Sequence, residues 1–200
     1  MRSFFVALLV LSTVQIVAGR PGQIILLRHA EKPPGRYAVH LDERGEARAQ
    51  ALVSFITTNR VLTANGLPAA LFAPRFTARG HAQRPYETLQ PLAEHLHLPI
   101  QTPFGSKEVA ALARLLLHDP ALDGKTVVIC WVHEQLPALA KCLGVKPEPE
   151  PWPAELYSRA WLITYHKHRA ELAILEQGLL PGDSGLSSKP AANGQTDLGR

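Results

Sequence analysis

Residues 24–32 read IILLRHAEK, an unbroken apolar run that ends abruptly in arginine, histidine and glutamate. A strand buried on both faces accounts for the first four residues, because only a covered sheet reads as continuous Ile and Leu without alternation. It does not account for the last five. Burying unpaired charge costs several kcal/mol or forces a change of protonation state, so Arg28, His29 and Glu31 mark the point where the strand leaves the core. The fold follows from where that point lies.

Working outward, apolar runs of strand length alternate with segments of helical spacing. Asp42 stands where a helix cap belongs, before a helix whose apolar face is expected to carry Ala47, Ala51, Leu52 and Phe55. Leu67 to Ala73 reads as a second strand, followed by a basic loop over 74–84. Pro85 is placed as the first residue of the next helix, which Pro91 should bend or shorten. A short strand near Ile100 precedes a helix over 107–118 with Val109, Leu112, Ala113 and Leu116 on one side. TVVICW, 126–131, is the strongest strand signal, and 134–143 reads as the helix after it. A Pro/Glu-rich connector leads to strands near 160–165 and 172–175. This alternation predicts an α/β three-layer sandwich with a mainly parallel central sheet.

In such a sheet ligands sit beyond the carboxyl ends of the strands. Arg28 and His29 fall where the first strand stops, and His133 and Glu134 where TVVICW stops. The two histidines share a crevice if those strands are neighbours.

Composition sets the frame. Two hundred residues with 46% hydrophobic content suffice for one domain with a substantial core. The first nineteen residues carry Arg2, an apolar stretch from Phe4 to about Leu11 and small residues at Ala18 and Gly19, the layout of a cleaved secretory leader. Ser12, Thr13 and Gln15 interrupt the run, so no membrane span remains once the leader is gone. The expected organisation is a leader over 1–19, an α/β domain over 20–180 and a disordered tail over 181–200, with a periplasmic or secreted location. Removing Arg2 with the leader leaves a net charge of about +3, compatible with an anionic substrate. Cys130 and Cys142 are too few for a disulfide scaffold or a zinc site, and both are expected as buried free thiols, a single disulfide being the alternative.

Three blocks, LLRHAE at 26–31, RPYETLQPLA at 84–93 and VVICWVH at 127–133, together resemble the histidine phosphatase superfamily, also called phosphoglycerate-mutase-like. The resemblance spans most of 23–165. Ala30 stands where the family usually has glycine. It implies that His29 is a nucleophile forming a phosphohistidine, that Arg28 and Arg84 hold the phosphate, and that His133 donates to it. It also implies hydrolysis of a phosphomonoester without metal or cofactor. Arginine forks suit that work, since phosphoryl transfer depends mainly on positioning and on stabilising charge spread over three oxygens. A neutral nucleophile beside a charged partner requires the two histidines' surroundings to separate their pKa values.

The proton donor is open among Glu134, preferred, then Glu108, then Glu31; each could equally serve a helix start. Lys32, Arg75, Arg79 and His81 add positive charge nearby. The pairs His95/His97 and His166/His168 lack a third ligand for a metal. Trp131, Trp152 and Trp161 read as packing residues, not a nucleic-acid platform, and no P-loop or dinucleotide fingerprint occurs. The expected partner is a small phosphorylated molecule or a phosphoprotein; the loops at 33–41, 74–83 and 145–158 that would choose between them carry no readable motif. A catalytically silent phosphate-binding protein on the same fold is the alternative. Oligomeric state has no signature in the sequence.

Overall fold

A computed structural model describes residues 19–35, 38–77, 82–166 and 169–183. The expected leader, apart from Gly19, lies outside the described residues, as do Arg79, His81, His168 and the tail from 184 onward.

Among the described residues six strands and four helices follow in the order β1 Gln23–Arg28, α1 Glu43–Thr58, β2 Pro68–Phe72, α2 Gln83–Leu96, β3 Ile100–Gln101, α3 Val109–His118, β4 Thr126–Trp131, α4 Leu136–Cys142, β5 Arg159–His166 and β6 Arg169–Glu176. The sheet order is β3-β2-β4-β1-β5-β6. Strands β1 to β4 pair in parallel, while β5 runs antiparallel to β1 and β6 antiparallel to β5. The sheet is mainly parallel, as expected, and the reversal between β5 and β6 has a geometric reason. His166 pairs with Arg169, and so short a connection can only reverse the chain.

All six positions of β1 and of β4 are buried. Alternation along β1 explains this: Ile24 and Leu26 pack with α3 and α4, and Ile25 and Leu27 with α1 and α2. The expected face of α3, Val109, Leu112, Ala113 and Leu116, is the buried one. That of α1 is not. Ala47 is exposed, and the helix buries Gly45, Arg48, Ala49, Leu52 and Ile56, one step round from the apolar stripe, because Arg48 holds a core position through ion pairs.

Helix α4 starts later than the sequence suggests. Pro137 has no N–H for the carbonyl of His133, so residues His133–Gln135 make a tighter turn before the α-helix begins. Helix α2 begins at Gln83, two residues before Pro85, and runs through Pro91 to Leu96. Cys130 is buried as expected. Cys142 is exposed, because α4 turns Leu136, Leu139 and Ala140 inward; both thiols are free. Residues Pro181 to Asp183, placed in the tail by composition, pack on the domain, where Asp183 pairs with Arg48. Among the described residues no helix is long and apolar enough to cross a membrane.

The cap expected at Asp42 is formed, its Oδ1 accepting from the Gly45 N–H at 2.8 Å. This first turn of α1 lies against the chain just after His29. The Asp42 N–H donates to the Glu31 carbonyl at 3.2 Å, and a Cβ added at Gly45 would lie 2.2 Å from that same oxygen. Only glycine fits. Gly45→Ala is expected to lower stability by about 1–3 kcal/mol, the usual range for overpacking, and an unchanged urea midpoint would contradict this close approach.

Candidate active site

Strands β1 and β4 are adjacent and parallel, with Arg28 opposite Trp131. Their carboxyl ends therefore release 28–30 and 132–134 side by side, and the His29 N–H extends the ladder to the Trp131 carbonyl at 3.3 Å. The third block arrives on α2. Thr88 Oγ1 accepts from the Ala30 N–H at 2.9 Å and donates to the Arg84 carbonyl at 2.8 Å. One buried hydroxyl thus fastens the helix bearing Arg84 to the loop bearing His29, which gives the Arg-to-Thr spacing of four its physical meaning.

The structure brings Arg28, His29, Arg84 and His133 together. His29 is 3% exposed, and its Nδ1 is 2.7 Å from the Ala30 carbonyl. A carbonyl can only accept, so Nδ1 carries the proton and Nε2 is left as a bare lone pair. Burial pushes the His29 pKa down to about 3, with the fields of Arg84, Arg28 and His133 adding to the effect and the hydrogen bond to Ala30 opposing it. His133 is lowered as well, by burial first and then by Arg28. Both imidazoles are thus biased towards the neutral form, unlike the neutral and charged pair expected from sequence. A neutral His133 still has one N–H to donate.

Three donors here are buried without a hydrogen-bond partner: Arg28 Nε, Arg84 Nε and His133 Nδ1. Buried polar groups are rarely left this way, and three of them on residues whose fields reach His29 suit an oxyanion. Burial lowers the pKa of both guanidinium groups.

The three candidate acids separate. Glu134 acts through its field on Arg28, Arg84 and His133, and its Oε2 lies 3.3 Å from His133 Nδ1, without hydrogen-bond alignment. Its side chain is 65% exposed, at the rim. Glu108 is spent on structure: Oε2 accepts from the Gly105 N–H at 2.6 Å and from Arg75 at 3.2 Å, closing the turn before α3. Glu31 points away into a cluster with Arg44 and Arg48. Arg75 is tied to Glu108 and the Pro103 carbonyl, and Lys32 to the Gly35 carbonyl at 2.9 Å. Among the described residues no three His, Cys, Asp or Glu side chains converge as metal ligands.

Sequence reasoning counted 145–158 among the loops that would choose the substrate but missed the role of its segment 152–157, WPAELY. Arg28 Nη1 donates to the carbonyls of Pro153, Ala154 and Leu156, and the Arg28 guanidinium lies 3.9 Å from the centre of the Tyr157 ring. Tyr157 and Glu155 also act through their fields on Arg28. Backbone carbonyls leave no mark in a sequence, and nothing local marks a tyrosine two residues before a strand as a partner of Arg28.

No family model matches the chain, and no curated protein matches it in sequence. Solved structures do match in fold. The protein histidine phosphatase SixA, determined with tungstate, aligns with a TM-score of 0.56 at 12% identity over 78% of this chain and 97% of that one. Mycobacterial hydrolase 2 aligns with a TM-score of 0.53 at 14% identity over 83% of this chain and 93% of that one. The chain therefore has the fold of a small, single-domain histidine phosphatase.

Proposed function

We propose that the protein is a phosphatase that hydrolyses a phosphomonoester through a phosphohistidine on His29. The observation that carries this reading is the state of that residue: buried, neutral, its proton held on Nδ1 by the Ala30 carbonyl, and its Nε2 free beside Arg28, Arg84 and His133.

The chemistry follows from these groups. Arg28 and Arg84 draw the phosphate dianion in and spread its charge over their N–H groups, while His133 donates to another oxygen. The Nε2 lone pair attacks phosphorus in line with the P–O bond to the leaving group. As that bond breaks, Glu134 gives its proton to the departing oxygen. Glu134, now a carboxylate, takes a proton from water, whose oxygen attacks the phosphohistidine; the N–P bond breaks, inorganic phosphate leaves and His29 returns to its starting state. The two arginines supply positive charge throughout, so the scheme calls for no metal.

Glu134 provides the test. Glu134→Gln is expected to lower kcat/KM about 10²- to 10⁴-fold for alkyl phosphates, whose leaving oxygen needs a proton. For a nitrophenyl phosphate, which leaves as a stable anion, the loss is expected to be much smaller. Equal losses on both substrates would remove Glu134 as the proton donor. A protein-borne phosphohistidine is a second substrate class, favoured by the likeness to SixA, a protein histidine phosphatase. Turnover of phosphohistidine that is insensitive to Glu134→Gln would favour it.

A further inference from the structure

The segment 152–157 is built as a rigid strap. At one end Trp152 is buried against Trp161, ring centres 4.9 Å apart, and its Nε1 donates to the Leu156 carbonyl at 2.8 Å, closing the strap on itself. At the other end Ser158 is buried and Arg159 begins β5, next to β1 in the sheet. Between these anchors the chain turns three carbonyls onto one nitrogen of Arg28 and lays the Tyr157 ring on its guanidinium, a cation–π contact. The same ring is 6.0 Å, centre to centre, from His29.

The strap fixes one side of the Arg28 fork and leaves Nε, the buried unpartnered donor, for a ligand. Its phenol is also within electrostatic reach of the second arginine, Arg84, as it is of Arg28. Burial raises the Tyr157 pKa above its ordinary value, so at neutral pH the group is a phenol with a proton to donate.

We propose that Tyr157 is a fifth contact of the phosphate site, its ring holding the Arg28 guanidinium in place and its hydroxyl donating to an oxygen of the bound phosphoryl group. This rests on the phosphatase reading above and adds to it a residue from the far end of the chain.

Two substitutions separate ring from hydroxyl. Tyr157→Phe keeps the ring on Arg28, and Tyr157→Leu removes both. Vanadate, an oxyanion the size of phosphate, is titrated calorimetrically into wild type and both variants, and kcat/KM is measured with a nitrophenyl phosphate. Losing a hydrogen bond to a charged group is expected to weaken vanadate binding and kcat/KM roughly 10- to 100-fold in Tyr157→Phe, with the melting temperature unchanged. Tyr157→Leu is expected to lose more, because Arg28 is then unsupported. Vanadate binding within twofold of wild type in Tyr157→Phe overturns the hydroxyl contact, and the same result in Tyr157→Leu overturns the positioning role as well. A wild type that binds vanadate without turning over substrate defeats the phosphatase reading alone, and the vanadate comparison still decides the role of Tyr157. A wild type that does not bind vanadate defeats both.

Discussion

His29→Ala is expected to abolish turnover of a nitrophenyl phosphate, with kcat lowered by roughly 10³-fold or more, while tungstate or vanadate still binds. The size follows from what is removed: without the Nε2 lone pair no covalent intermediate can form, and losses of this order accompany removal of a nucleophile. Binding survives because Arg28 and Arg84 remain, each with a buried Nε unpaired in the protein. An alanine variant with full activity would transfer the nucleophile's role elsewhere, and one that binds no oxyanion would mean that His29 shapes the cradle.

The same residue predicts a pH dependence. Folded His29 stays neutral down to about pH 3, while a histidine in the unfolded chain takes up a proton near its ordinary value of 6.5. Between these values the unfolded chain binds more protons, so stability is present above pH 6.5 and drains away as the pH falls, by up to about 1.4 kcal/mol per unit. His133, also lowered, acts in the same direction. Replacing His29 by glutamine is expected to flatten the decline between pH 6.5 and 4 in urea titrations. Parallel curves for variant and wild type would mean that the imidazole titrates normally in the fold.

The backbone of this fold was legible because burial on both faces of β1 and β4 forces continuous apolar runs, and because two parallel strands that are neighbours must end on the same side. From there Arg28, His29 and His133 follow by position alone. Arg84 needed the resemblance, since nothing local to α2 says that Thr88 reaches the Ala30 N–H. What could not be read depends on partners far apart in sequence. Tyr157 meets Arg28 through its ring, and the strap that carries it bonds through carbonyls that every residue possesses. Arg48 sits on the buried side of α1, where an arginine disguises the helix's true inner face, and its partner Asp183 lies in PGDSG, a stretch whose composition suggests no structure at all. Charges that satisfy one another look, one at a time, like surface residues.

That hidden pair sets the second large effect: Arg48→Met is expected to destabilise the protein by about 3–5 kcal/mol, the range for breaking a buried ion pair from one side. Arg48 is 2% exposed. Its Nε and Nη2 form a two-pronged contact with Glu31 at 2.8 and 2.7 Å, and Nη1 and Nη2 a second one with Asp183 at 2.9 and 2.7 Å. Nη1 also reaches Gln177 Oε1 at 3.0 Å. Methionine fills the volume of the stem but leaves the carboxylates of Glu31 and Asp183 with the half-exposed Arg44, 3.1 and 3.2 Å away, as their remaining cation. Hydrogen bonding, chiefly from Arg48, holds the Asp183 pKa down to about 2, so this contribution is present above the ordinary value of 3.8 and is lost as the pH falls towards 2. The gap between wild type and variant is therefore expected to be widest near neutrality and to shrink below pH 4. Activity should fall too, because Glu31 lies two residues beyond His29 and its carbonyl bonds to the start of α1. Arg48→Lys keeps the charge but cannot form two forks at once, and is expected to fall between. A loss under 1 kcal/mol in Arg48→Met, measured by urea unfolding at pH 7, would mean that the network is ornamental and that the loop bearing His29 is held by Thr88 and Gly45 alone.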